Sequence, residues 1–156
     1  MIVMYSLEEI DQVELEYKNG APSLGRALDM LLARWNSGAR DEQTALRLLF
    51  LLWYNIVEPI NLTGLPQDTD PSLFIKVFEE AGGESKASPT ILFAVGKMAE
   101  MFPWAIGEEK EWEAISRKLI EKAVNEKPDI SANTFAGCGT AGDYIQHLLA
   151  YKPNGV

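Results

Sequence analysis

Ser23-Leu24-Gly25-Arg26-Ala27-Leu28-Asp29-Met30-Leu31-Leu32-Ala33-Arg34-Trp35 is the stretch on which the fold reading turns. Leu24, Ala27, Leu28, Leu31, Leu32 and Trp35 follow the i, i+3, i+4, i+7, i+8 spacing of a helix with one apolar face, and Asn36-Ser37-Gly38 ends it. Moving outward, Asp41 caps a third helix that runs to about Val57. Glu58-Pro59 stops it, because the residue before a proline is pushed out of helical geometry. This third helix is apolar on most of its circumference, which makes it the expected centre of the core.

The same start and stop signals recur on both sides. Ser6 and Glu9 form a capping box, Leu7, Ile10, Val13 and Tyr17 recur at helical spacing, and Asn19-Gly20 ends the first helix after Lys18. Every charge in that helix before Lys18 is acidic, and the charges fall mainly between the apolar positions, so they read as a solvated face. Beyond the third helix, residues 60–69 read as a loop. Asp70-Pro71 starts a fourth helix with Leu73, Phe74, Val77, Phe78 and Ala81 inward, closed by Gly82-Gly83. Ser88-Pro89 starts a fifth, with Leu92, Val95, Ala99 and Phe102 as its stripe and Pro103 as its stop. Residues 108–126 form a sixth, with Trp112, Ile115, Leu119 and Ala123 on one face. After an irregular stretch over 129–140, a last helix from about Ala141 to Ala150 is expected to bury Tyr144, Ile145, Leu148 and Leu149. Outside Met1 to Tyr5, nothing alternates as a strand does, and no repeat period emerges. The fold expected is all-α: a single domain over residues 1–156, an irregular array of about seven helices around a central apolar one.

Composition sets limits on function. A chain of 156 residues can bury roughly 70% of its unfolded surface and needs neither disulfides nor a structural metal. The formal charge of −9 opposes binding to nucleic acid or to an anionic membrane, whose phosphates call for the opposite sign. The longest apolar stretch, Ala45 to Val57, would reach only ~20 Å as a helix, short of the ~30 Å hydrocarbon layer. A lone cysteine permits no internal disulfide, and Met1 to Tyr5 carries no basic leader, so a cytoplasmic protein is expected.

Motifs with chemistry are few. Gly137-Cys138-Gly139-Thr140-Ala141-Gly142 matches G-x-G-x-x-G, but no strand precedes it and no later acidic residue is placed to hold a ribose. A glycine-rich loop that lets backbone approach a neighbouring helix accounts for it better. Cys138 and His147 are the only cysteine and histidine, and a small half-buried thiol with a surface Asp143–His147 pair explains them more simply than a catalytic couple. They are too few for a zinc site, and no metal or other cofactor is expected. The acidic run Glu108, Glu109, Glu111 and Glu113 suits the positive end of a helix dipole.

Two features remain as candidates. On the third helix Arg47, Tyr54, Asn55 and Glu58 fall at i, i+7, i+8 and i+11, one narrow stripe that would line a cleft closed by the glycine-rich segment, with His147 nearby. Trp104 lies in the loop Pro103-Trp104-Ala105-Ile106-Gly107, where it either closes the core, the better reading, or stands out as a surface anchor. Two functions follow. The first is a non-catalytic binding protein that meets a basic or neutral protein partner through its acidic surface. The second is a small-molecule binder or enzyme using the polar cleft, with Arg47 fixing an anionic group, Tyr54 and Asn55 orienting it, and Glu58 or His147 moving a proton.

Overall fold

The computed structural model describes residues 4–58, 60–66 and 70–150, with the Ile60 side chain left aside. Helices are the only regular structure among these residues. Helix α1 (Leu7–Lys18) starts at Ser6, whose hydroxyl accepts from the Glu9 amide while the Glu9 carboxylate accepts from the Ser6 amide, both at 3.1 Å. Helix α2 (Leu24–Asn36) is preceded by Ser23, which makes no cap bond; its hydroxyl instead donates to the Val13 carbonyl at 2.6 Å and ties the start of α2 to α1. Helix α3 (Glu42–Val57) is capped by Asp41, which accepts from the Thr44 amide at 3.1 Å. It ends where Glu58 turns extended, at φ −119° and ψ 148°, as a residue before proline should. Pro59, the expected stop, lies outside the described residues, as do Met1 to Val3 of the one segment with strand character.

Two single-turn helices depart from the sequence reading. Residues expected as loop include α4 (Ile60–Thr63), after which the Thr63 hydroxyl accepts from the Leu65 amide at 3.1 Å and Leu65 inserts fully into the core. Helix α5 (Ser72–Glu80) begins two residues after Asp70, whose carboxylate takes the Ser72 amide at 3.0 Å. The turn α6 (Gly83–Lys86) occupies residues read as a stop, because Lys122 donates to the carbonyls of Glu84 and Ser85 at 2.7 and 3.1 Å and satisfies its end. Helix α7 (Pro89–Met101) has Ser88 as cap, and α8 (Glu109–Glu126) has Glu108, whose carboxylate accepts from the Glu111 amide at 2.7 Å. Helix α9 (Gly139–Ala150) starts two residues earlier than expected.

Helix α3 is the hub. Every residue from Thr44 to Asn55 is buried, and the helix packs against α2, α5, α7 and α9. One contiguous core joins them, with Trp35, Trp53, Phe50 and Phe135 as its largest fully buried side chains. Helices α1 and α9, from opposite ends of the chain, pack together, and α9 also meets α3. No helix among the described residues is long and apolar enough to cross a membrane.

Trp104 does not close the core. The 3-10 turn Pro103–Ala105 turns Ala105 and Ile106 inward and leaves Trp104 53% exposed, its ring 5.9 Å from Phe102. Ala105 and Ile106, each 4% exposed, close the core there instead.

Candidate functional site

A helix as apolar as α3 must either pair its polar residues or turn them to water, and it does both. Arg47 is 3% exposed and points at α1 and the glycine-rich segment. Its Nη1 donates to Asp11 and, at 3.2 Å, to Glu14 Oε2; Nη2 donates to the Gly137 carbonyl at 3.4 Å. Glu14 is equally buried, at 3%. The guanidinium is always charged, so a carboxylate had to be found for it, and α1 supplies one half-exposed and one buried.

Glu14 overturns the expectation that the acidic residues of α1 are all solvated. It stands four residues after Ile10 and three before Tyr17, which is a slot of the inward stripe. Burial pushes its carboxyl up to about 7; Arg47 pulls it down, while the charges of Asp11 and Asp143 push it up again. The Thr140 backbone amide faces the carboxylate and favours its charge, yet Oε1 is left without a hydrogen bond of ordinary geometry.

The glycine-rich segment is what lets α9 come so close. A Cβ at Gly139, where φ is +65°, would sit 2.3 Å from Glu14 Oε2 and 3.0 Å from Arg47 Nη1. One at Gly142 would sit 2.2 Å from the Phe135 carbonyl. The G-x-G-x-x-G pattern therefore serves helix packing around a buried ion pair. Cys138 is buried beneath it, its Sγ accepting from Gln43 at 3.1 Å and donating to the Ala136 carbonyl at 3.7 Å. Asp143 pairs with Lys18 at 3.7 Å, the partner expected for it having been His147.

Between α1 and α9 runs a groove with two unlike halves. One is a hollow of about 140 Å³ walled by Asp11, Glu14, Leu15, Gly139 and Thr140. The other, about 270 Å³, is walled by Tyr17, Tyr54, Tyr144 and His147. Lys18, Thr140 and Asp143 belong to both walls, so the halves adjoin. Tyr17 and Tyr54 share a hydrogen bond at 3.1 Å, and the Tyr144 ring meets Tyr54 edge-on at 5.6 Å. Burial raises the Tyr54 phenol far above its usual range, helped by the Tyr17 hydrogen bond and by the charges of Tyr17 and Glu58; burial and Glu58 raise Tyr144 as well. Both stay neutral phenols at any physiological pH.

The stripe read along the third helix is thus divided. Tyr54 reaches the groove and His147 joins it from α9, Arg47 lies buried behind the wall where it holds Glu14, and Glu58 acts on the groove's tyrosines through charge. Asn55 faces the other way, into a crevice of about 10 Å³ beside Phe74 and Asp70 of the α5 side, because eight residues of helix carry it a further 80° around the axis from Arg47. Trp104 does not line the groove. Missed by the sequence reading were Asp11, Glu14, Tyr17, Lys18, Asp143 and Tyr144. Only Glu14 carried a signal, a carboxylate in an apolar slot; the others gain their place from the meeting of the chain's two ends.

A larger depression, about 360 Å³, is walled by Glu100, Glu113, Ser116 and Arg117 on α7 and α8, but it holds no buried polar atom lacking a partner. Among the described residues no group of three or more His, Cys, Asp or Glu side chains is placed to hold a metal ion. Set against known protein families, curated proteins and solved structures, the chain matches none of them.

Proposed function

We propose that the chain is a non-catalytic binding protein that meets a basic protein partner through the acidic groove between α1 and α9. The observation that carries this reading is the acid half of the groove, a hollow of about 140 Å³ walled by Asp11, Glu14 and Asp143. The exposed acids of α1, Glu8, Glu9 and Glu16, add to the net charge of −9 that would steer a cationic partner towards it. A single cysteine, itself buried, suits a cytoplasmic setting, where thiols stay reduced.

The tyrosine half of the groove favours a second reading, a small-molecule binder or enzyme with His147 and Glu58 as proton carriers. Arg47 does not suit the task of fixing an anionic ligand there, because it is buried and already held by two carboxylates.

Capture of partners from the native host by the immobilised chain tests the first reading. Asp143→Lys, on the groove rim, should lower recovery of the captured protein at least ten-fold, whereas Glu109→Lys, exposed at the start of α8, should leave it unchanged. Equal losses from both variants would make the acidity general and the groove irrelevant.

A further inference from the structure

We propose that the tyrosine half of the groove binds an uncharged aromatic ring that carries a hydrogen-bond acceptor, such as a ketone or amide oxygen. The inference rests on reading that half as a small-molecule site and names the class of molecule it takes.

Size and wall chemistry call for the ring. The hollow measures about 270 Å³, and an apolar cavity of about 150 Å³ already admits benzene, so one substituted ring fits. Tyr54 and Tyr144 stand at 68° to each other with centroids 5.6 Å apart, which makes a corner. A ring laid on the face of one presents its edge to the other, and both are arrangements that aromatic rings prefer. Tyr17 and the His147 imidazole complete the aromatic lining.

The acceptor follows from a count of hydroxyl protons. Tyr17 and Tyr54 bring two such protons and share one hydrogen bond, at 3.1 Å, so whichever hydroxyl donates, the other has its proton left to give. Both residues line the hollow, where water takes that proton in the free protein. A ring without an acceptor would displace this water and return no bond, which lowers affinity.

Charge balance makes the ligand neutral. Lys18 and Asp143 stand on this wall with opposite charges and answer each other at 3.7 Å. An ammonium would have to take Asp143 from Lys18. A carboxylate would have to take Lys18 from Asp143 while meeting the charge of Glu58, which reaches Tyr54 and Tyr144. A neutral ring leaves the pair intact.

The test is an NMR titration of the whole chain with acetophenone, toluene, cyclohexyl methyl ketone, benzoate and benzylammonium, following the amides of Lys18, Thr140, Tyr144 and His147. Toluene lacks the acceptor, the cyclohexyl ketone lacks the aromatic ring, and the last two probes are charged. Acetophenone is expected to bind saturably, about five-fold tighter or more than each of the other four, the difference that one hydrogen bond or one aromatic contact ordinarily makes. Tyr17→Phe together with Tyr54→Phe keeps both rings and removes both hydroxyls. It should lower the affinity for acetophenone to that for toluene and leave toluene unchanged, a split that a merely structural role would not give. Tyr144→Leu takes away one side of the corner, should weaken both ring probes several-fold, and serves if the double variant does not fold. Acetophenone binding no tighter than toluene, the cyclohexyl ketone or either charged probe would overturn the assigned class and leave a small-molecule site, as would a double variant that weakens both ring probes alike. Saturable binding by none of the five would overturn the site itself, and with it the small-molecule reading of this half.

Discussion

Two helix pairs in this protein are closed by opposite means. Helices α7 and α8, adjacent in sequence, are closed by shape: Gly96 has no Cβ, and Ile120 fills the space, where an added Cβ would lie 2.7 Å from its side chain and 3.3 Å from its backbone nitrogen. Helices α1 and α3 are tied by charge, through Arg47 reaching from α3 to Asp11 and Glu14, and α9 closes over that pair where Gly139 has no Cβ. Shape complementarity fills a seam with side chains. A buried ion pair holds its elements at the distance its hydrogen bonds require, and here the acid half of the groove lies beside it. The tight packing and the proposed binding groove thereby fall in different seams.

The most damaging way to break the contrast is Arg47→Ala. It strands a buried carboxylate, and a loss of about 3–5 kcal/mol is expected in urea denaturation above neutral pH. The double change Arg47→Met with Glu14→Leu should restore most of that stability while closing the acid half of the groove, since an apolar pair of similar volume replaces the ions well. A double variant as unstable as Arg47→Ala alone would mean that the charges themselves hold α1 in place.

Next in size is the pH dependence. Because burial above all keeps the Glu14 carboxyl near 7 in the folded chain, against 4.5 when unfolded, the folded state binds the extra proton between those values. Its contribution is therefore complete below about 4.5 and is lost as pH rises through about 7, a fall of up to about 3 kcal/mol. Asp41 works in the opposite sense at lower pH: although partial burial raises it, its bonds from Thr44 and Arg34 hold it below its usual value, so its stabilisation is lost as pH falls through that depressed value. Glu14→Gln should remove the fall on the neutral side and leave the acid side unchanged, as read from denaturation midpoints across the range.

Smallest is the test on the other seam. Gly96→Val should cost about 1–3 kcal/mol by overpacking against Ile120, and it should leave capture of a partner untouched. Lost capture would show that the two seams are not independent.

How far these features could be read beforehand follows the same division. Helices whose boundaries depend on local chemistry were legible: Ser6 with Glu9, Asp41, and Ser88-Pro89 all cap where their side chains predict. The hub was legible too, since α3 is apolar almost all round. Elements finished by distant groups were not. The turn α6 depends on Lys122, and α4 leads into Leu65, whose place in the core is settled by tertiary packing. The groove was half legible: Tyr54, His147 and, behind the wall, Arg47 could be picked out, but Arg47's partners on α1 come from more than thirty residues away and the one in the glycine-rich segment from ninety. Asn55 shows the limit of a stripe drawn on one helix, for a shift around the axis places it on a different face. Glu14 was the missed clue, because a carboxylate in an inward slot announces a buried partner.

The most direct measurement is the titration of the Glu14 side-chain carboxyl carbon by NMR in the free protein. A midpoint of about 7 is predicted. A midpoint near the ordinary glutamate value of ~4.3 would mean that Arg47 and the Thr140 amide outweigh burial, and the account of a seam closed around a costly buried carboxylate would fail.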